Sequence, residues 1–200
     1  NYTLTGGTHN FAINRKSVNI SGTREYDGTT NIAAADISTI TDTVNSEVLA
    51  MSGGLGTTSS ANVGAYNLTD TSQGTLILAN GPSGANQGLA SNYTLTGGTQ
   101  DYTITQRVLS SSGSKAYDAN TNALAADITL SNLVSGETLN HSGTASISSA
   151  NAASYTITNL AGITLADNAG LASNYTLTGG THNFTVNPKV ISLSGSRLYD

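Results

Sequence analysis

The sequence predicts an all-β protein, a sandwich or barrel laid out more than once along the chain, on three observations. A phrase recurs: NYTLTGGTHNF starts at Asn1, returns as NYTLTGGTQDY at Asn92 and again as NYTLTGGTHNF at Asn174. Short segments alternate apolar and polar residues with the period of a strand. Gly-, Asn- and Ser-rich breaks separate them at short intervals, as in a many-stranded β domain.

A second phrase keeps step with the first: REYDG around Tyr26, KAYDA around Tyr117 and RLYD at Tyr199. Both recur after 91 residues (Asn1 to Asn92, Tyr26 to Tyr117) and then after 82 (Asn92 to Asn174, Tyr117 to Tyr199). A fixed long period is the mark of repeated supersecondary units. Residues 15–105 form repeat 1 and residues 106–187 repeat 2. Residues 1–14 read as the last strand of a preceding repeat, and 188–200 as the first strand of a following one. The chain is expected to be a window on a longer array.

In order along the chain, Tyr2 and Leu4 would face one way and Thr3 and Thr5 the other. Val18 and Ile20, Tyr93 and Leu95, Tyr102 and Ile104, Tyr155 and Ile157, Tyr175 and Leu177, and Ile191 and Leu193 follow the same rule. Breaks fall at residues 52–56, 80–88 and 167–170. Each repeat has room for about seven strands of ordinary length. Helix competes only in TTNIAAAD and NTNALAAD, at residues 29–36 and 120–127. Two turns are marginal without tertiary support, so each reads as a short connector or irregular strand entry. Repeat 1 is longer mainly in ANGPSGANQGLASNY against ADNAGLASNY, a growth that a surface loop tolerates.

Charged residues are 10% of the chain, against roughly 25% in an average soluble domain. The formal net charge is −5. Spaced Val, Ile, Leu and Tyr separate the chain from disordered sequences of low hydrophobicity and high charge. Seven Lys and Arg spread along the whole chain make no nucleic-acid footprint. No apolar run approaches the ~20 residues that span a bilayer, so membrane insertion is not expected. With no cysteine, neither disulfides nor thiolate metal sites are available.

Superposing the repeats gives columns. Lys16, Arg107 and Lys189 precede each signature tyrosine, as do Arg24, Lys115 and Arg197 more closely. Asp27, Asp118 and Asp200 follow it directly, with Asp36 and Asp127 further on. A charged ligand site is one reading; the one preferred is a repeated structural ion pair or Asx-type turn. His9 and His182 share a column with Gln100, which is no base at neutral pH, and His141 matches Met51; surface histidines are expected. Metalloprotease, nucleophile-elbow and phosphate-loop motifs are absent. The acidic loop at Asp167 offers one carboxylate, thin for calcium, which prefers six to eight oxygen ligands. No catalytic, metal or cofactor-binding residue is assigned.

REYDGTTNIAAADI, SANVGAYNLT and LASNYTLTGGT together resemble the YDG-type repeat, a relative of the mostly bacterial immunoglobulin-like repeats found in filamentous-haemagglutinin-like adhesins. The resemblance covers both repeats. It implies immunoglobulin-like β-sandwiches in series, forming an extended rod with no catalytic residues. Its signature residues here are Tyr26, Asp27, Gly28, Tyr117, Asp118, Tyr199, Asp200, Asn92, Tyr93, Asn174 and Tyr175. Repeat 2 departs from it: Ala119 stands where glycine is expected, a poor residue for a positive-φ turn, and 151–155 reads NAASY rather than NVGAY.

The expected function is that of a stiff, non-catalytic stalk in a secreted or surface-attached bacterial fibre. Its partners would be neighbouring repeats of the same chain, or identical chains. One alternative is a filament subunit completed by strand exchange through 1–14 and 188–200, since an unpaired edge strand is a template. Another is a glycan-binding module using residues 80–87, though the only ring nearby is Tyr93.

Overall fold

A computed structural model describes residues 2–3, 5–8, 10–68, 72–157 and 159–198. Asn1, Leu4, His9, Tyr199 and Asp200 lie outside the described residues. Two compact units form: Asn1–Arg24 with Thr29–Thr105, and Glu25–Gly28 with Gln106–Asp200. The cut after Thr105 falls at the junction of the sequence repeats. Glu25–Gly28 is different, belonging by sequence to repeat 1 and by packing to unit 2.

Unit 2 has a four-stranded sheet ordered Ile128–Ser131, Ser110–Ala116, His182–Asn187, Ala153–Thr156. The two middle strands run parallel, Ser111 opposite His182 through Ala116 opposite Asn187; the outer pairs are antiparallel. A three-stranded antiparallel sheet joins Asn122–Leu124, Asn140–Ser146 and Ile163–Ala166. One core cluster draws on both sheets: Ile128, Phe184 and Val186 from the first, Ala123, Ala145 and Ile163 from the second. His182, Phe184 and Val186 are buried while the residues between them are not, because successive side chains leave a strand on opposite faces. Burying such side chains contributes on the order of 25 cal/mol per Å² of apolar surface.

Unit 1 repeats the four-stranded order with Ile37–Thr41, Asn19–Glu25, Gln100–Thr105 and Gly64–Asn67. Asn31–Ala33 pairs with Leu55–Thr57, and Leu49–Gly53 with Ile77–Asn80. In each unit a two-residue parallel ladder stands before the first long strand: Lys16–Ser17 with Tyr93–Thr94, and Arg107–Val108 with Tyr175–Thr176. Val18, Ile20, Leu49, Leu76, Tyr93 and Leu95 form one core cluster of this unit, with Tyr102 and Ile104 also buried.

The fold is all-β, with no α-helix among the described residues. Each alanine-rich stretch becomes a short strand followed by one 3-10 turn, Ala34–Asp36 and Ala125–Asp127. Asp36 Oδ2 accepts the Ala33 N–H at 2.9 Å, giving the chain a local bond that competes with helix growth. The break expected at 52–56 narrows to Gly54, at φ +87° between two strands. Ala119 takes φ +66°, so the turn survives the loss of its glycine at a conformational cost.

Among the described residues, 1–14 and 188–198 form no strand, and Phe11, Ile13, Ile191 and Leu193 are exposed. The alternation in these segments is real but has no partner strand there to pair with. The loop at 80–88 closes on itself. Gly81 N–H donates to Gly88 O at 3.1 Å, Gln87 Nε2 to Gly81 O at 2.9 Å, and Gly88 N–H to Val48 O at 2.8 Å.

Candidate functional site

Strand Asn19–Glu25 delivers Tyr26, whose ring is buried in unit 2. Its hydroxyl donates to Glu137 Oε1 at 2.5 Å, and the Tyr175 hydroxyl donates to Oε2 of the same carboxylate at 2.5 Å. The two rings meet edge to face, centroids 5.5 Å apart and planes at 80°, a preferred aromatic geometry. The Asn174 side chain also hydrogen-bonds Tyr26. Arg107 Nη1 donates to the Tyr26 carbonyl at 3.3 Å, while Arg107 itself is held by Asn132, Nε to the carbonyl at 2.6 Å and Nη2 to Oδ1 at 2.7 Å.

Local backbone places each of these groups. Glu137 follows Gly136, at φ +86°, and its N–H donates to Val134 O at 3.0 Å. The Val134 N–H donates to the Tyr175 hydroxyl oxygen at 3.1 Å, so that oxygen both gives and receives. Gly28 closes the turn at φ +80°, and a Cβ there would lie 2.9 Å from Val134 Cγ1. Glycine is favoured twice over, by conformation and by space.

Burial first, and then the hydrogen bond to Glu137, pushes the Tyr26 and Tyr175 hydroxyls up to about 12. Both phenols are therefore neutral donors at neutral pH. A carboxylate with its two oxygens occupied by two buried phenols clamps a segment in place.

Unit 1 carries the same parts. Tyr93 donates to Glu47 Oε2 at 2.5 Å, the Val44 N–H donates to the Tyr93 hydroxyl oxygen at 3.0 Å, and Lys16 Nζ lies 2.9 Å from Asp42 Oδ1. The Glu47 hydrogen bond, and then burial, raises the Tyr93 hydroxyl. Asp42 and Asn132 occupy matching left-handed positions, at φ +65° and +69°. One difference separates the two sites. Asn174, beside Tyr26, is 1% exposed, whereas its counterpart Asn92 is exposed. Val44 is 45% exposed, while Val134 is half-buried.

The remaining signature residues are placed as follows. Tyr117 is exposed, and Asp118 pairs with Lys115 Nζ at 2.9 Å. That ammonium, ahead of the Asn120 N–H, holds the Asp118 carboxyl below its ordinary value. Lys115 also donates to the carbonyls of Asn120 and Asn122, at 2.9 and 2.7 Å. This is a turn-bracing cation with all its protons used. Asp27 is exposed; Tyr199 and Asp200 lie outside the described residues.

The histidine column corrects the expectation of surface residues. His182 is 4% exposed, with Nε2 donating to Leu177 O at 2.8 Å and Nδ1 accepting from Ser111 Oγ at 2.9 Å. Gln100 takes the matching place in unit 1: Nε2 donates to Leu95 O at 2.8 Å, and Oε1 accepts the Ile20 backbone N–H at 3.2 Å where His182 meets the Ser111 hydroxyl. Both are core residues that satisfy a buried carbonyl and a buried donor. The Ser111–His182 pair has the spacing of a nucleophile and base. Yet both are buried, and the ring's outer nitrogen is spent on a carbonyl. His141 is half-buried, its Nε2 3.0 Å from the Ala125 and Ile128 carbonyls. No group of three His, Cys, Asp or Glu is placed to hold a metal among the described residues.

Residues 99–183 match the family model of the YDG domain. The YDG match covers under half of the chain and includes Tyr117, Asp118, Glu137, Asn174 and Tyr175. No curated protein and no solved structure matches the chain. The acceptor of Tyr26, Glu137, is the residue that sequence reasoning passed over. Its signal was present in VNSE at 44–47 and VSGE at 134–137, a glutamate column as regular as the lysine and arginine columns.

Proposed function

We propose that this chain is a structural segment of a secreted or surface-attached bacterial fibre or adhesin, a stiff non-catalytic stalk of immunoglobulin-like β-sandwich repeats. The observation that carries the reading is the Glu25–Gly28 segment, which belongs to one repeat by sequence and to the other unit by packing. Unit 2 is thus completed by four residues that the sequence places in repeat 1. In support, the chain passes between units at three points, Arg24 to Glu25, Gly28 to Thr29 and Thr105 to Gln106. The YDG match and a surface poor in charge fit an inert spacer. Antibodies raised against this chain should label intact, unpermeabilised source cells or shed fibres. Labelling only after permeabilisation would contradict the reading.

A second reading is favoured by a separate observation: the exposed apolar side chains Phe11, Ile13, Val190 and Leu193, on segments that form no strand. If such segments complete sheets of other copies, the protein is a self-assembling filament subunit. Light scattering then gives polymer that grows with concentration and vanishes when residues 1–14 are deleted. The stalk reading gives monomer throughout.

A further inference from the structure

We propose that Lys16, Val44, Glu47, Asn92 and Tyr93 form a receptor for the Tyr-Asp-Gly turn of a preceding copy of the repeat. Unit 2 already holds such a turn. Each of the five has a counterpart in unit 2 that touches the Tyr26–Gly28 turn. Arg107 bonds its carbonyl, Val134 faces Gly28, and Glu137, Asn174 and Tyr175 surround the Tyr26 hydroxyl and ring.

The unit 1 receptor is preassembled. Tyr93 is buried and donates to Glu47 through Oε2, the same oxygen that Glu137 gives to Tyr175 while Oε1 takes Tyr26. Lys16 is fixed by Asp42 in the place where Asn132 fixes Arg107. What distinguishes unit 1 is exposure at the two positions that the turn covers in unit 2, Asn92 and Val44. Lysine in place of arginine keeps one donor for the incoming carbonyl.

The occupant follows from the same geometry. A phenol must reach the carboxylate, and a residue without a side chain must follow two positions later, because a Cβ at Gly28 would press on Val134. Within this sequence, REYDG meets both demands. The inference rests on the serial-repeat reading, and the test separates the two.

The experiment places residues 15–91 ahead of Asn1 in the full chain, so that Asn1–Asn14 becomes the end of an added repeat. Phe11 and Ile13, 91% and 89% exposed at present, report whether that repeat folds. The side-chain amide of Asn92 reports the receptor. The expected result is burial of Phe11 and Ile13, with exchange of the Asn92 amide slowed at least tenfold, to the level of Asn174. Tyr26→Phe in the added copy alone should reverse the slowing at Asn92 and leave Phe11 buried. Burial of Phe11 with unchanged exchange at Asn92 overturns the receptor while leaving serial repeats intact. If Phe11 stays exposed, the serial reading fails and the receptor fails with it.

Discussion

Tyr26 and Glu137 lie 111 residues apart in the sequence and 2.5 Å apart in the fold. The Glu137 carboxylate also receives Tyr175, so one side chain satisfies two buried phenols. Its removal leaves both without an acceptor. Glu137→Ala is expected to cost about 3 kcal/mol in urea unfolding, the upper range for hydrogen bonds to a charged group. Glu47→Ala, which strips one phenol, should cost about half as much.

Alkali tests the same clamp. Tyr26 and Tyr175 are raised in the folded protein to about 12 from an ordinary 10, so folding favours their protonated form. Their contribution is therefore complete below pH 10 and is lost as pH rises through about 12. The urea midpoint of unit 2 should fall across that window. Tyr26→Phe with Tyr175→Phe should flatten the fall.

His182→Gln should leave stability within about 0.5 kcal/mol, because Gln100 shows that an amide supplies the same donor and acceptor at this position. His182→Ala should cost about 2 kcal/mol by stranding the Leu177 carbonyl and opening space beside it. Thermal unfolding of the two variants decides the point.

The signature turns differ in opposite directions. Ala119, at φ +66°, carries a left-handed strain of about 1–2 kcal/mol, partly offset by the lower entropy of an alanine chain when unfolded. Ala119→Gly should thus stabilise by about 0.5 kcal/mol. Gly28→Ala meets both φ +80° and Val134 Cγ1, and should destabilise by about 2 kcal/mol.

The strands of the four-stranded sheets were legible because burial has period two, as in Tyr102 and Ile104. The 3-10 turns at Ala34 and Ala125 were legible as stretches too short for helix. The place of Tyr26 was not. Its partners Arg107, Glu137, Asn174 and Tyr175 come from separate segments of the next repeat, and no local pattern reports a contact across such a distance. His182 departs from the surface expectation for a related reason: a lone histidine carries no local sign of burial, and only the matching bond of Gln100 to the Leu95 carbonyl shows the column to be core. Residues 1–14 carry strand alternation in the sequence, but alternation selects a face and does not supply the partner strand.

By its packing, the Tyr-Asp-Gly turn of repeat 1 is part of the fold of unit 2. A double-mutant cycle between Tyr26→Phe and Glu137→Ala measures it most directly, by urea unfolding of the full chain. A coupling of about 1 kcal/mol or more is expected, since each single change removes the same hydrogen bond. Costs that add to within about 0.3 kcal/mol would contradict it, and would leave Tyr26 a residue of repeat 1 alone.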